Sequence, residues 1–133
     1  MSTAVATKTR LADGNPRYQT LLRDGEKLRS LAVATCELIT NSPELAEPVR
    51  VMLKAMTKLA KDIACEVTVW GVEGMERELE LVAACCYGAN ALGLRYLSDR
   101  EPDRDELEAA VDLALHAHEN IQAVWAFANG EEV

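Results

Sequence analysis

Apolar residues recur at alternating steps of three and four along most of this 133-residue chain, the repeat of helices that each bury one face. The first such region opens at Asn15-Pro16, a capping residue followed by proline at a first helical position, and runs to about Thr40. Asp24-Gly25 falls inside it. An interior glycine costs roughly 1 kcal/mol against alanine, which makes this the candidate position for a kink or a break. Asn41-Ser42-Pro43 ends the region, and a short turn over 43–45 leads to Glu47 as cap and Pro48 as the first residue of a second helix. That helix places Val49, Met52, Met56, Leu59, Ile63, Val67 and Trp70 on one stripe, and Gly71 and Gly74 bracket the turn after it.

The third helix carries Met75, Leu79, Val82, Cys86, Ala89, Gly93 and Tyr96, and is broken between Ser98 and Pro102. Asp103 with Glu106 has the spacing of a capping box. It opens a fourth helix with Leu107, Val111, Ala114, His118, Ile121, Trp125 and Ala128 on its apolar stripe, stopped by Asn129-Gly130. Nothing in the chain reads as a strand pair. Four helices of similar length with short connections predict an all-α fold, an antiparallel four-helix bundle over residues 15–130. A flexible N-terminal tail, residues 1–14, precedes it.

The third helix departs from the pattern. From Leu81 to Leu94 it has no charged residue. One face, centred on Val82, Cys86 and Ala89, belongs to the core. The opposite face, read as Leu81, Cys85, Gly88 and Leu92, is apolar too, where a bundle helix is normally polar. Either the tail or a split first helix covers that face, or another chain does. The second option is preferred, because four helices leave little to cover it, so Leu81, Cys85, Gly88 and Leu92 are the expected interface of a homodimer or partner complex. The run is too short to span a bilayer and contains Asn90, so no membrane role is expected.

Composition agrees with a globular domain: 49 % of residues are hydrophobic and 27 % charged, enough to bury a core without disulfide or metal. Charge changes the picture more. The net charge of −8 is unevenly divided. Residues 1–61 hold ten Lys and Arg against six Asp and Glu; residues 62–133 hold four against sixteen. Arg50, Lys54, Lys58 and Lys61 form a basic face on the second helix, opposite Met52 and Met56. Asp105, Glu108, Asp112 and Glu119 form an acidic face on the fourth. Solvation and helix-dipole matching at Glu73, Glu76, Asp103, Asp105 and Glu106 are the first account of the acids. Docking of the acidic half on a basic surface, of a partner or of another copy, is the second. The acidity argues against direct nucleic-acid binding, which needs clustered Lys and Arg on the phosphates.

The segment from Met1 to Asp13 has no apolar stretch of signal-peptide length, which points to the cytoplasm and to reduced thiols. Cys36 and Cys65 are expected near opposite ends of the bundle, and Cys85 and Cys86 are adjacent, so four free, mostly buried thiols are expected. Layer counting puts His118 near Cys86. Such a pair can bind a metal or form a thiolate–imidazolium nucleophile. The plainer account is a neutral histidine hydrogen-bonded to a hydroxyl or carbonyl, with Cys86 as a small hydrophobe. No third ligating or orienting residue joins them. His116, two residues away, is expected to be exposed, and Leu113 and Leu115 stand where a di-iron bundle needs glutamates. Trp70 and Trp125 read as packing. No phosphate loop, nucleophile elbow or zinc-protease motif occurs, and no catalytic residue or cofactor is expected. The leading reading is a non-catalytic protein–protein interaction module: a small acidic regulator, inhibitor, adaptor or assembly subunit. The competing reading is a ligand-, metal- or redox-binding bundle centred on Cys86 and His118.

Overall fold

The computed structural model describes residues 16–42, 44, 46–70, 73–99 and 103–128. They form four helices: α1 (Pro16–Asn41), α2 (Ala46–Val67), α3 (Glu76–Ser98) and α4 (Arg104–Ala128). Extensive contacts join α1 to α2, α2 to α3, α3 to α4 and α4 back to α1, so the helices form a closed square around one core. The pairings set early residues of one helix beside late residues of the next. Arg50, near the start of α2, donates to the Leu97 carbonyl near the end of α3 at 2.9 Å. Asn90 donates through Nδ2 to the Thr57 carbonyl at 2.9 Å, so the one strongly polar side chain within the uncharged run of α3 clamps that helix to α2. On the other side, Arg95 of α3 lies 3.5 Å from Glu106 of α4.

Leu28, Leu53, Met56, Val82, Ile121 and Val124 are large hydrophobic side chains that are fully buried, and the fully buried alanines Ala32, Ala60, Ala64, Ala89, Ala110, Ala114 and Ala117 lie among them. Small residues let the backbones approach closely, and Gly93 carries this furthest: a Cβ there would collide with the Thr57 methyl group. Gly25 works the same way. α1 runs unbroken through it, and a Cβ would stand 3.0 Å from Ile121 Cδ1 and Cγ2. The glycine expected to kink α1 is instead where Ile121 of α4 packs against the α1 backbone.

On α3 every stripe residue from Met75 to Gly93 is buried, with Tyr96 half-buried. On α4 the stripe is buried except for the half-buried Trp125. The α2 stripe is displaced: Leu53, Ala60 and Ala64 are buried, while Met52 and Leu59 are half-buried. α2 also begins at Ala46, two residues ahead of Pro48. Asp103 caps α4, its Oδ1 accepting from the Asp105 N–H at 2.8 Å, one of the free donors every helix start presents. Tyr18 and Trp70 meet edge to face with centroids 5.2 Å apart, joining the start of α1 to the end of α2. The expected tail over 1–14, the cap at Asn15, the turn residues Pro43 and Leu45, Gly71, and the stop at Asn129-Gly130 lie outside the described residues.

Candidate interaction surfaces

The uncharged run of α3 does present a face to solvent, but not the strip expected. Cys85 and Leu92 are half-buried and pack against the core, and a Cβ at Gly88 would stand 2.8 Å from Leu113 Cδ1 of α4. These three lie on the α4 flank, not on the far side. The reason is angular. Residues advance about 100° each, so Cys85 and Leu92 sit only about a quarter turn from the inner stripe, whose centre is the buried Cys86, Ala89 and Gly93. The open face consists of Ala84, Tyr87, Ala91 and Leu94, turned toward α2, with Leu81 at its edge on the α4 side; Leu81 is 40 %, Tyr87 44 % and Leu94 50 % exposed. Of the expected four, only Leu81 belongs to it. A helical wheel centred on the core stripe carries this signal; the i, i+4 spacing alone does not.

Lys54, Lys58 and Lys61 are exposed along α2, on the side facing this surface. Arg50, read with them as one basic face, is half-buried, and its guanidinium is committed to the Leu97 carbonyl. It closes the C-terminal end of α3, where a cation complements the helix dipole. On α4, Asp105, Glu108, Asp112 and Glu119 are all exposed. Arg104 Nε lies 3.2 Å from Glu108 Oε1, and the exposed His116 has Nδ1 3.6 Å from Glu119 Oε2. The ridge borders α1: Glu108 and Asp112 edge a cleft of about 200 Å³ with Cys36 and Ile39.

Glu119 edges a second cleft between α1 and α4, of about 630 Å³, with Glu26, Arg29, Ser30 and His118. His118 is 7 % exposed, and its Nε2 is buried with no hydrogen-bond partner among the described residues. Burial first, then Arg29, lowers its pKa; Glu26 and Glu119 act in the opposite sense. Cys86 is fully buried, and burial, followed by Cys85, pushes its thiol up to about 12. It is therefore a thiol at neutral pH, not a ready nucleophile or metal ligand. Among the described residues no group of three His, Cys, Asp or Glu could hold a metal ion. All four cysteines are free, but Cys36 and Cys65 are exposed and Cys85 is half-buried, so only Cys86 meets the expectation of burial. Cys36 and Cys65 lie beside the buried stripes of α1 and α2, next to the buried Thr35 and Ala64, and Cys65 Sγ lies 3.9 Å from the Tyr87 hydroxyl. No described helix is long and apolar enough to cross a membrane.

The molecule so defined is a helical bundle with one open apolar face, a basic ridge beside it and an acidic ridge across the square. Comparison with protein-family models, curated proteins and solved structures finds no match for the chain.

Proposed function

We propose that this protein is a non-catalytic binding module that docks on a partner through the acidic ridge of α4. The observation that carries the reading is the ridge itself: Asp105, Glu108, Asp112 and Glu119 are exposed along one edge of α4. Helix-dipole matching accounts for Asp105 in the first turn. It does not reach Asp112 or Glu119, two and four turns further on. Exposed acids at such positions add little to stability, and they suit a partner that presents a basic protein surface. Regulator, inhibitor, adaptor and assembly subunit are all consistent with that chemistry.

The test is a pull-down from the native host with wild type and with Glu108→Lys/Asp112→Lys/Glu119→Lys. The reading expects partners that the triple variant loses, with association that slows as salt rises, because charges on a rim steer encounter more than they hold the complex. Partners retained undiminished by the triple variant would remove the ridge from the account.

A ligand-binding bundle centred on His118 is the second reading, and one observation favours it: an unpartnered Nε2 on a residue that lines a cleft of about 630 Å³. Metal and small-molecule analysis of untagged protein tests it. Stoichiometric bound ligand, lost in His118→Ala, would put this reading first.

A further inference from the structure

We infer that the groove between α1 and α4 docks a basic amphipathic helix of a partner protein, about 15 residues long, with its apolar face over the groove floor and its Lys and Arg against the acids of the walls. This rests on the docking of the acidic ridge proposed above, and adds the place and the shape of the partner.

The groove follows from the helix repeat. On α4, Glu108, Asp112, Leu115 and Glu119 follow one another at steps of four, three and four; on α1, Glu26, Arg29, Val33 and Cys36 do so at three, four and three. At about 100° per residue each set is a single row beside the buried stripe of its helix. The clefts show that the two rows face each other. Glu26 and Arg29 border the larger one with His118 and Glu119, and Cys36 borders the smaller one with Glu108 and Asp112. Asp112 and Glu119, one at each cleft, are two helical turns and so roughly 10 Å apart. Side chains at i and i+7 of a third helix span the same distance. One helix therefore reaches both clefts, where a small ligand fills only one.

The floor and the walls name the chemistry of the occupant. Val33 and Leu115 are half-buried and Ile39 and Val111 buried, so the floor is apolar. The walls carry the carboxylates of Glu26, Glu108, Asp112 and Glu119 against the guanidinium of Arg29, all exposed. A helix with one apolar face flanked by Lys and Arg complements both. His118 is the independent sign that the groove takes a partner. It is 7 % exposed and lines the larger cleft, and its Nε2 is buried without a hydrogen-bond partner among the described residues. A buried nitrogen left unpaired is costly, and a polar side chain within the apolar face of the docked helix supplies what it lacks. A second copy of this chain is a poor occupant. Its α2 presents Lys54, Lys58 and Lys61, but Leu53, Met56 and Ala60 of that helix are buried in their own core, so no apolar face is left for the groove. Nucleic acid is repelled by the same four acids.

Fluorescence anisotropy on the full chain tests this with a labelled helical peptide of about 18 residues, leucine on one face and lysine on the other. Wild type binds it with a Kd on the order of 10 µM. The same peptide with glutamate in place of lysine binds about tenfold more weakly or worse, and so does the lysine peptide to Glu108→Lys/Asp112→Lys/Glu119→Lys. Cys36→Trp and Ser30→Trp, neutral changes at exposed positions that fill the smaller and the larger cleft, each weaken binding about tenfold. Val51→Trp, exposed on α2, leaves it unchanged. The His118 ring nitrogen resonances shift when the peptide binds. Circular dichroism checks that each variant is folded, and the two tryptophan positions stand in for each other if one is not. Undiminished binding by the triple variant overturns the ridge and the groove together. Loss in the triple variant with wild-type binding by both tryptophan variants leaves the ridge and overturns the groove. No binding at ~1 mM peptide, or unchanged His118 ring resonances in the complex, also overturns the groove. Self-association of the wild type, abolished by Lys54→Glu/Lys58→Glu/Lys61→Glu, would give the groove to a second copy and overturn the separate partner.

Discussion

The two faces of α3 are built from nearly the same amino acids and differ in almost everything else. The inner face, Leu79, Val82, Cys86, Ala89 and Gly93, is buried in the core, and at Gly93 the space is too small for a methyl group. The outer face, Leu81, Ala84, Tyr87, Ala91 and Leu94, is uncharged as well, yet exposed. Hydrophobicity alone therefore does not tell core from surface on this helix. What separates the faces is which one lies in phase with the stripes of α2 and α4. The outer face is apolar without being buried, and it is tied to the rest of the bundle by the Tyr87 hydroxyl near Cys65 Sγ of α2.

The sharpest break of this comparison is to place the same charge on each face. Val82→Asp puts a carboxylate where nothing can pair with it and is expected to cost about 3–5 kcal/mol, enough to unfold much of the population at 25 °C. Ala84→Asp, two residues on, is expected to change the unfolding free energy by no more than ~0.5 kcal/mol. Urea denaturation of dilute protein measures both.

The next contrast uses the two α3 glycines. Gly93→Ala forces a methyl against Thr57, with Leu53 Cδ1 3.6 Å behind, and should destabilise by about 1–3 kcal/mol. Gly88→Ala meets only Leu113 Cδ1, the movable end of a side chain. The gain in helix propensity, up to ~1 kcal/mol, should there offset the crowding and leave thermal stability unchanged or raised.

The ridges give a smaller pair of effects. Arg50→Ala leaves the Leu97 carbonyl without its charged donor and should cost about 1 kcal/mol, toward the low end for such bonds because Arg50 is half-exposed. Lys54→Ala, one turn away on exposed backbone, should have no measurable effect on stability.

The smallest expected change concerns pH. The folded state holds the His118 pKa below its ordinary 6.5, so the unfolded chain takes up that proton first. The stabilisation of the folded state that results is complete above the ordinary value and is lost as the pH falls from there through the lowered folded pKa. Arg29 reinforces the shift, while Glu26 and Glu119 oppose it. His118→Leu should therefore flatten the fall in urea midpoint between neutral pH and the carboxylate range. An unchanged slope would assign that acid sensitivity to other groups.

Much of the fold was legible in the periodicity. On α3 and α4 the buried stripes fall where the spacing puts them, with only Tyr96 and Trp125 half-buried. On α2 the phase is ambiguous, because Met52-Leu53, Leu59-Ala60 and Ile63-Ala64 are adjacent apolar pairs. Which member turns inward depends on where α1 and α3 sit, and the core took Leu53 and Ala60. The same dependence hid the true outer face of α3: Cys85 and Leu92 look opposite to Val82 in a list of spacings, but α4 lies on their side. Contacts distant in sequence, such as Gly25 against Ile121, Arg50 on Leu97 and Tyr18 against Trp70, leave no local trace. The acidic ridge was fully legible, since a four-residue stripe of charge needs only the helix to place it.

Hydroxyl-radical footprinting of dilute protein, read by mass spectrometry, tests the distinction between the two α3 faces most directly. The account predicts labelling of Leu81, Tyr87 and Leu94 comparable with that of Val51 and Val69, exposed on α2 and just beyond its end, and protection of Leu79 and Val82. Equal labelling of the inner and outer residues of α3 would contradict it.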